Sequence, residues 1–203
     1  MHFLPLGYDR LATAIEEAPG LNVPRRYVVY LYARYALSAY VLRVAPSHTP
    51  VPDAPSSWEA LRAWNNARTT GREPIPVWNG ASDSTAWVHD TIEPAVINYA
   101  FRAWHDSTHL KHGHDFTRDG ERAVALRHLE QVHEDPRLWL DLLDFCPVDQ
   151  RLAVFDAMQR LLWAETEGQQ AYYEKWGAFP EDQGAFAREY VINGAAAALA
   201  DQW

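Results

Sequence analysis

Apolar residues recur at helical spacing through nearly the whole chain, and the alternating runs that build half-buried strands are scarce. That pattern dictates an all-α fold class: a single-domain helical bundle over residues 1–203. Helices are expected at about Tyr8 to Glu17, Pro24 to Val44, Ser57 to Arg68, Glu93 to His112, Thr117 to His133, Asp135 to Phe145, Val148 to Trp176 and Pro180 to Ala200. Two segments interrupt them. Residues 46–56 are rich in proline and serine, and residues 69–90 carry Gly71, Pro74, Pro76 and Gly80, so both are expected to be irregular loops. Val77, Trp78 and Trp87 make the second loop too apolar for a dangling linker, and it should pack over the body of the protein.

One helix pair is punctuated most sharply. Gly113 follows the last turn of the Glu93 helix, Thr117 or Asp119 can cap the next helix, and Asp135 before Pro136 is a cap followed by a first-position proline. The joining turn, HGHDF, is short, which favours an antiparallel hairpin with the start of the second helix packed near the end of the first. His105 and His109, four residues apart, project from one face of the first helix. Glu121 lies near the beginning of the second and is carried back towards them. Two imidazoles and a carboxylate are the three-ligand set of a catalytic zinc, with a position left for water or substrate. Solvated histidines on a polar helix face are the bland alternative, against which Glu121 and the neighbouring Asp106 weigh.

Asp106 sits about 100° around the helix from His105. It can be a fourth metal ligand, hold a histidine by a hydrogen bond, or act as base on a bound water. Its side chain is one methylene shorter than the glutamate of zinc proteases, which argues against protease chemistry. His112 and His128 are candidate further ligands or proton shuttles, while His114 and His133 read as solvent-facing. Asn98 and Arg102 share the histidine stripe at seven-residue steps; Arg102 suits a substrate carboxylate, or is an exposed charge with an acidic partner. Glu165, Gln169, Tyr172 and Trp176 form a second stripe, facing either the metal pocket or solvent. Candidate catalytic residues are therefore Asp106, Arg102 and Glu165, and candidate metal ligands are His105, Asp106, His109 and Glu121. Zinc is the first expectation; iron or manganese follows if Glu165 enriches the site in carboxylate.

HDSTH, eleven residues and then Glu121, with Gly120 immediately before it, resembles the HDxxH-x11-E pattern of the family of the fourth coenzyme Q biosynthesis protein. The resemblance covers His105 to Glu121, with a looser echo at Tyr173, Glu174 and Trp176. It implies a metal-site role for His105, Asp106, His109 and Glu121, and lyase, decarboxylase or hydroxylase chemistry on the head group of a polyprenylated aromatic acid. The turn HGHDF, the proline-rich loop and residues 165–176 depart from the family, so the implied substrate does not carry over.

The net charge of -9 and the absence of a basic run exclude a phosphate-backbone binder, so no nucleic-acid partner is expected. The single cysteine, Cys146, cannot form an intramolecular disulfide, and a reducing cytoplasm is the expected compartment. The N-terminus lacks the basic-then-apolar order of a secretory signal. Tyr27 to Ala45 is the most apolar stretch, but Arg34 and five tyrosines make it a core helix rather than an integral span, with peripheral membrane contact the minority reading. These features lead to a metal-dependent enzyme acting on a small substrate, aromatic or carboxylate-bearing. An HD-type phosphohydrolase using His105 with Asp106, and His89 with Asp90, is the alternative within enzymes. A metal-stabilised scaffold or hydrophobic-ligand-binding protein is the alternative outside them.

Overall fold

The computed structural model describes residues 25–80 and 84–203; the helix expected at Tyr8 to Glu17 lies outside them. The chain is mostly helical. The first described helix, α1 (Arg25–Val44), buries Tyr30, Ala33, Leu37, Tyr40 and Val41 in the core. Arg34 is accommodated because its guanidinium donates to the carbonyls of Ala86 and Trp87 and lies 5.4 Å from the centre of the Tyr30 ring. A charge in mid-helix thereby satisfies orphan carbonyls of a loop. No helix among the described residues is long and apolar enough to cross a membrane.

The two loops contain short strands that the sequence pattern did not indicate. β1 (His48–Val51) and β2 (Ile75–Trp78) pair in parallel, with His48 opposite Ile75 and Val51 opposite Trp78. Between them α2 (Trp58–Ala67) forms the crossover a parallel pair requires, capped by the Ser57 hydroxyl, which accepts from the Ala60 amide. Each strand carries a proline, tolerated because both are edge strands. Ile75 and Val77 pack on Ala103 of α3 (Pro94–His112). Further along the same loop Trp87 is buried, and its indole N–H donates to Asn98 Oδ1 at 3.2 Å, while Trp78 stays 50% exposed.

After α3 come α4 (Arg118–Glu134), α5 (Pro136–Phe145) and α6 (Arg151–Trp163). The helix expected from Val148 to Trp176 starts at Arg151 and is interrupted: Ala164–Gly168 form a π-helical turn before α7 (Gln169–Trp176) resumes. The helix expected over Pro180 to Ala200 divides at Gly194 into α8 (Gln183–Asn193) and the short α9 (Ala195–Ala198). Leu37, Ile97, Met158, Leu161 and Phe186, from α1, α3, α6 and α8, are fully buried in one apolar core. The candidate site lies where α3, α4 and the π-helical turn come together.

Candidate metal centre

The hairpin is built by local chemistry. Gly113 ends α3 in the left-handed region, at φ 72°, and its amide closes on the His109 carbonyl at 2.8 Å. Thr117 caps α4, its hydroxyl accepting from the Gly120 amide. In between, Asp115 folds over the first turn of α4 so closely that a Cβ at Gly120 would lie 2.0 Å from the Asp115 carbonyl oxygen. Only glycine fits there. The two helices run antiparallel, since Glu121 meets His105 and His109 while His128 and Gln131, further along α4, meet His105 and Trp104.

At this crossing one atom from each of His105, His109 and Glu121 lies within 4.8 Å of the others. The Nε2 atoms of the two histidines are 3.0 Å apart, and Glu121 places Oε2 3.1 Å from His105 Nε2 and Oε1 3.4 Å from His109 Nε2. Ligands held about 2.0–2.1 Å from a single ion, at angles near tetrahedral or somewhat smaller, are themselves roughly 2.9–3.4 Å apart. The three residues are close enough to hold a metal.

What lies behind the ligands supports the same donor geometry. His109 is fully buried, with its ring 4.7 Å from Phe116, and its Nδ1 is 3.0 Å from the His114 carbonyl oxygen. A carbonyl only accepts, so Nδ1 carries the proton and the lone pair of neutral His109 is on Nε2, facing the other two donors. His105 Nδ1 is 3.4 Å from His128 Nε2. His128 is itself completely buried against Trp104, with ring centroids 3.8 Å apart, and burial beside His105 and His109 holds its pKa well below the usual histidine range. His128 thus stands behind His105 as a neutral ring. Two imidazole Nε2 atoms and a carboxylate gathered at one point are compatible when a cation or a proton lies between them.

Beside His105 and Glu121 opens a cavity of about 170 Å³, also lined by Phe101, Arg102, Glu165 and Gln183. The π-helical turn brings Glu165 to this wall; such turns widen the helix by one residue and re-aim side chains. Glu165 Oε2 accepts from Gln169 Nε2 at 3.2 Å, Oε1 is buried with no hydrogen-bond partner among the described residues, and burial pushes the carboxyl up to about 8. Among the described residues Glu165 stands outside the three-residue group, as does Asp106. Asp106 is half-buried next to the ligands on α3, and desolvation, with Glu121 adding repulsion against the opposing pull of His109 and Arg102, raises it to about 7.

Arg102 has backbone partners that its spacing did not indicate. It lines the cavity, but its Nη1 donates to the carbonyls of Trp78 and Gly80, and the guanidinium lies 5.2 Å from the centre of the Trp78 ring. It ties the segment after β2 to α3. His112 stacks on His114, away from the triad, and Trp176 and Tyr172 pack near the other end of α7 rather than at the cavity. Gln183 and Phe179 carry no signal in the sequence, since nothing in their spacing connects the segment before α8 with α3. No protein-family model, curated protein or solved structure matches this chain.

Proposed function

We propose that the chain is a metal-dependent enzyme in which His105, His109 and Glu121 hold one divalent ion, zinc before iron or manganese, at the mouth of a pocket for a small substrate. The observation that carries this reading is the convergence of His105, His109 and Glu121, one donor atom from each within 4.8 Å of the others, beside a cavity lined by two of the same residues. Three protein ligands leave a position for substrate or water, whereas a structural site closes with four. A divalent ion bound there supplies Lewis acidity towards a carboxylate, carbonyl or hydroxyl oxygen.

The protein's own residues do the rest. The His114 carbonyl fixes the tautomer of His109, and His128 braces His105. Glu165 holds a proton near neutral pH and lines the cavity, so it suits general acid–base work there rather than ligation; Asp106 exchanges a proton in the same range but stands outside the cavity lining. The volume limits what enters: an engineered apolar cavity of about 150 Å³ takes a benzene molecule, so about 170 Å³ suits a single ring or a compact carboxylic acid. Lyase, decarboxylase or hydroxylase chemistry rests on the motif resemblance. The HD-type phosphohydrolase gains nothing from the geometry, because His89 accepts from the Thr91 amide and Asp90 accepts from Tyr35, neither at the cavity.

Metal analysis of the purified protein tests the reading. About one equivalent of a transition metal, as isolated or after reconstitution, is expected; less than about a tenth, with no gain on reconstitution, sinks it. Metal removal that unfolds the protein, with four protein ligands found in the loaded form, would favour the scaffold alternative.

A further inference from the structure

We propose that the wall of the cavity formed by the π-helical turn and the start of α8 is a recognition site for a planar amide edge, with N–H and C=O side by side. The proposal names a substrate class for the pocket under Proposed function and rests on that reading for its catalytic meaning. Its structural basis is separate. Glu165 and Gln183 are 7% and 8% exposed, both line the cavity, and they come from elements remote in sequence. Among the described residues, Glu165 Oε2 is engaged by Gln169 whereas Oε1 has no partner, and the Gln183 carboxamide makes no hydrogen bond. Buried polar groups are nearly always hydrogen-bonded, so the unpartnered Glu165 oxygen, with the Gln183 carboxamide lining the same cavity, marks a place where a ligand completes the set.

The chemistry of that ligand follows from what each group offers. A carboxamide presents a donor and an acceptor together, and Glu165 adds one oxygen on the same wall. An amide, lactam or urea edge answers both kinds of demand at once. A plain carboxylate answers only the donors, and an apolar group answers neither. Phe101 and Phe179, also on the cavity lining, supply apolar surface for a flat ring carrying that edge. Arg102 is drawn to the carbonyls of Trp78 and Gly80, which makes this wall a poor carboxylate clamp.

Four probes of matched shape separate the possibilities: benzamide, acetophenone, α-methylstyrene and benzoate, each titrated calorimetrically into metal-stripped protein. Benzamide is expected to bind most tightly, with acetophenone and α-methylstyrene each at least about tenfold weaker, because each leaves buried groups unpaired. Gln183→Leu and Glu165→Leu should each cost benzamide about tenfold or more, with unchanged circular dichroism showing that the variants fold. Benzoate binding as tightly as benzamide, α-methylstyrene binding equally well, no benzamide binding at millimolar concentration, or Gln183→Leu without effect in a folded protein would each overturn the proposal. Metal uptake, measured separately, judges the triad: benzamide binding without metal uptake overturns the metal reading and leaves this one standing.

Discussion

Glu121 and Glu165 are both buried and line one cavity, yet their carboxyl groups are driven in opposite directions. Burial works to raise both. At Glu121 it is outweighed, when a proton rather than a cation lies between the three groups, by the charges and hydrogen bonds of His105 and His109, which hold the carboxyl well below the usual carboxylate range. At Glu165 the more remote Arg102 and Arg34 and a single hydrogen bond from Gln169 fall short of the desolvation, and the carboxyl rises to about 8. Desolvation does not distinguish the two sites; the donors within reach do. The hairpin end presents an ionised carboxylate with two imidazoles, close enough together to hold a metal. The π-turn end presents a neutral acid suited to hydrogen bonding.

The largest expected break in this contrast comes from His109→Ala. A structural zinc site binds with about 10–16 kcal/mol, so removing one of three protein ligands should cost on the order of 4 kcal/mol, about a thousandfold in metal affinity by competitive chelator titration. It also removes one of the two imidazoles that face Glu121. A variant that keeps full affinity would remove His109 from the ligand set.

The next effect belongs to the other end. The folded-state pKa of Glu165, about 8, lies above its ordinary value of 4.5, so the folded protein keeps a proton that the unfolded chain releases between them. Its stabilising contribution is complete below pH 4.5, is lost progressively as pH rises to about 8, and amounts to a few kcal/mol. Urea unfolding of metal-free protein across that window should show Glu165→Gln flattening the decline. An unchanged pH dependence in the variant would place the cause elsewhere, with Asp106 the next carboxyl to test.

The difference between the two ends is also the difference between what the sequence disclosed and what it hid. His105 and His109 were legible because four-residue spacing is a local property of a helix, and Glu121 because Gly113, Thr117 and the short turn determine how the chain reverses. His128, seven residues beyond Glu121, lies on the same stripe and was legible as a neighbour, though not as a buried brace. The π-helical turn leaves no compositional trace: AETEG reads as ordinary helix, and the extra residue shows only in the hydrogen bonding. The strand pair was hidden because four residues are too few to show alternation, and pairing His48 with Ile75 is a non-local choice. The role of Arg102 was hidden for the same reason, since its carbonyl partners arrive from the segment after β2.

Two smaller effects sharpen the account of the hairpin. Gly120→Ala forces a methyl against the Asp115 backbone and displaces the turn whose His114 carbonyl orients His109. A loss of about 2–3 kcal/mol in stability is expected by chemical denaturation, with weaker metal binding alongside it. Full stability would mean that the turn yields freely. His128→Leu keeps apolar bulk against Trp104 and removes the contact to His105, which at 3.4 Å is long. Metal affinity should fall about tenfold, the low end for a residue supporting a ligand. A loss as large as that of His109→Ala would instead make His128 a ligand.

X-ray absorption at the metal edge of the zinc-reconstituted protein tests the central claim most directly. The expected spectrum has nitrogen and oxygen neighbours at about 2.0–2.1 Å, with the multiple scattering of two imidazoles and no sulfur, and loses one imidazole in His105→Ala. A sulfur neighbour at about 2.3 Å, which only Cys146, Met1 or Met158 of this chain can supply, or a spectrum unchanged in His105→Ala, would contradict it.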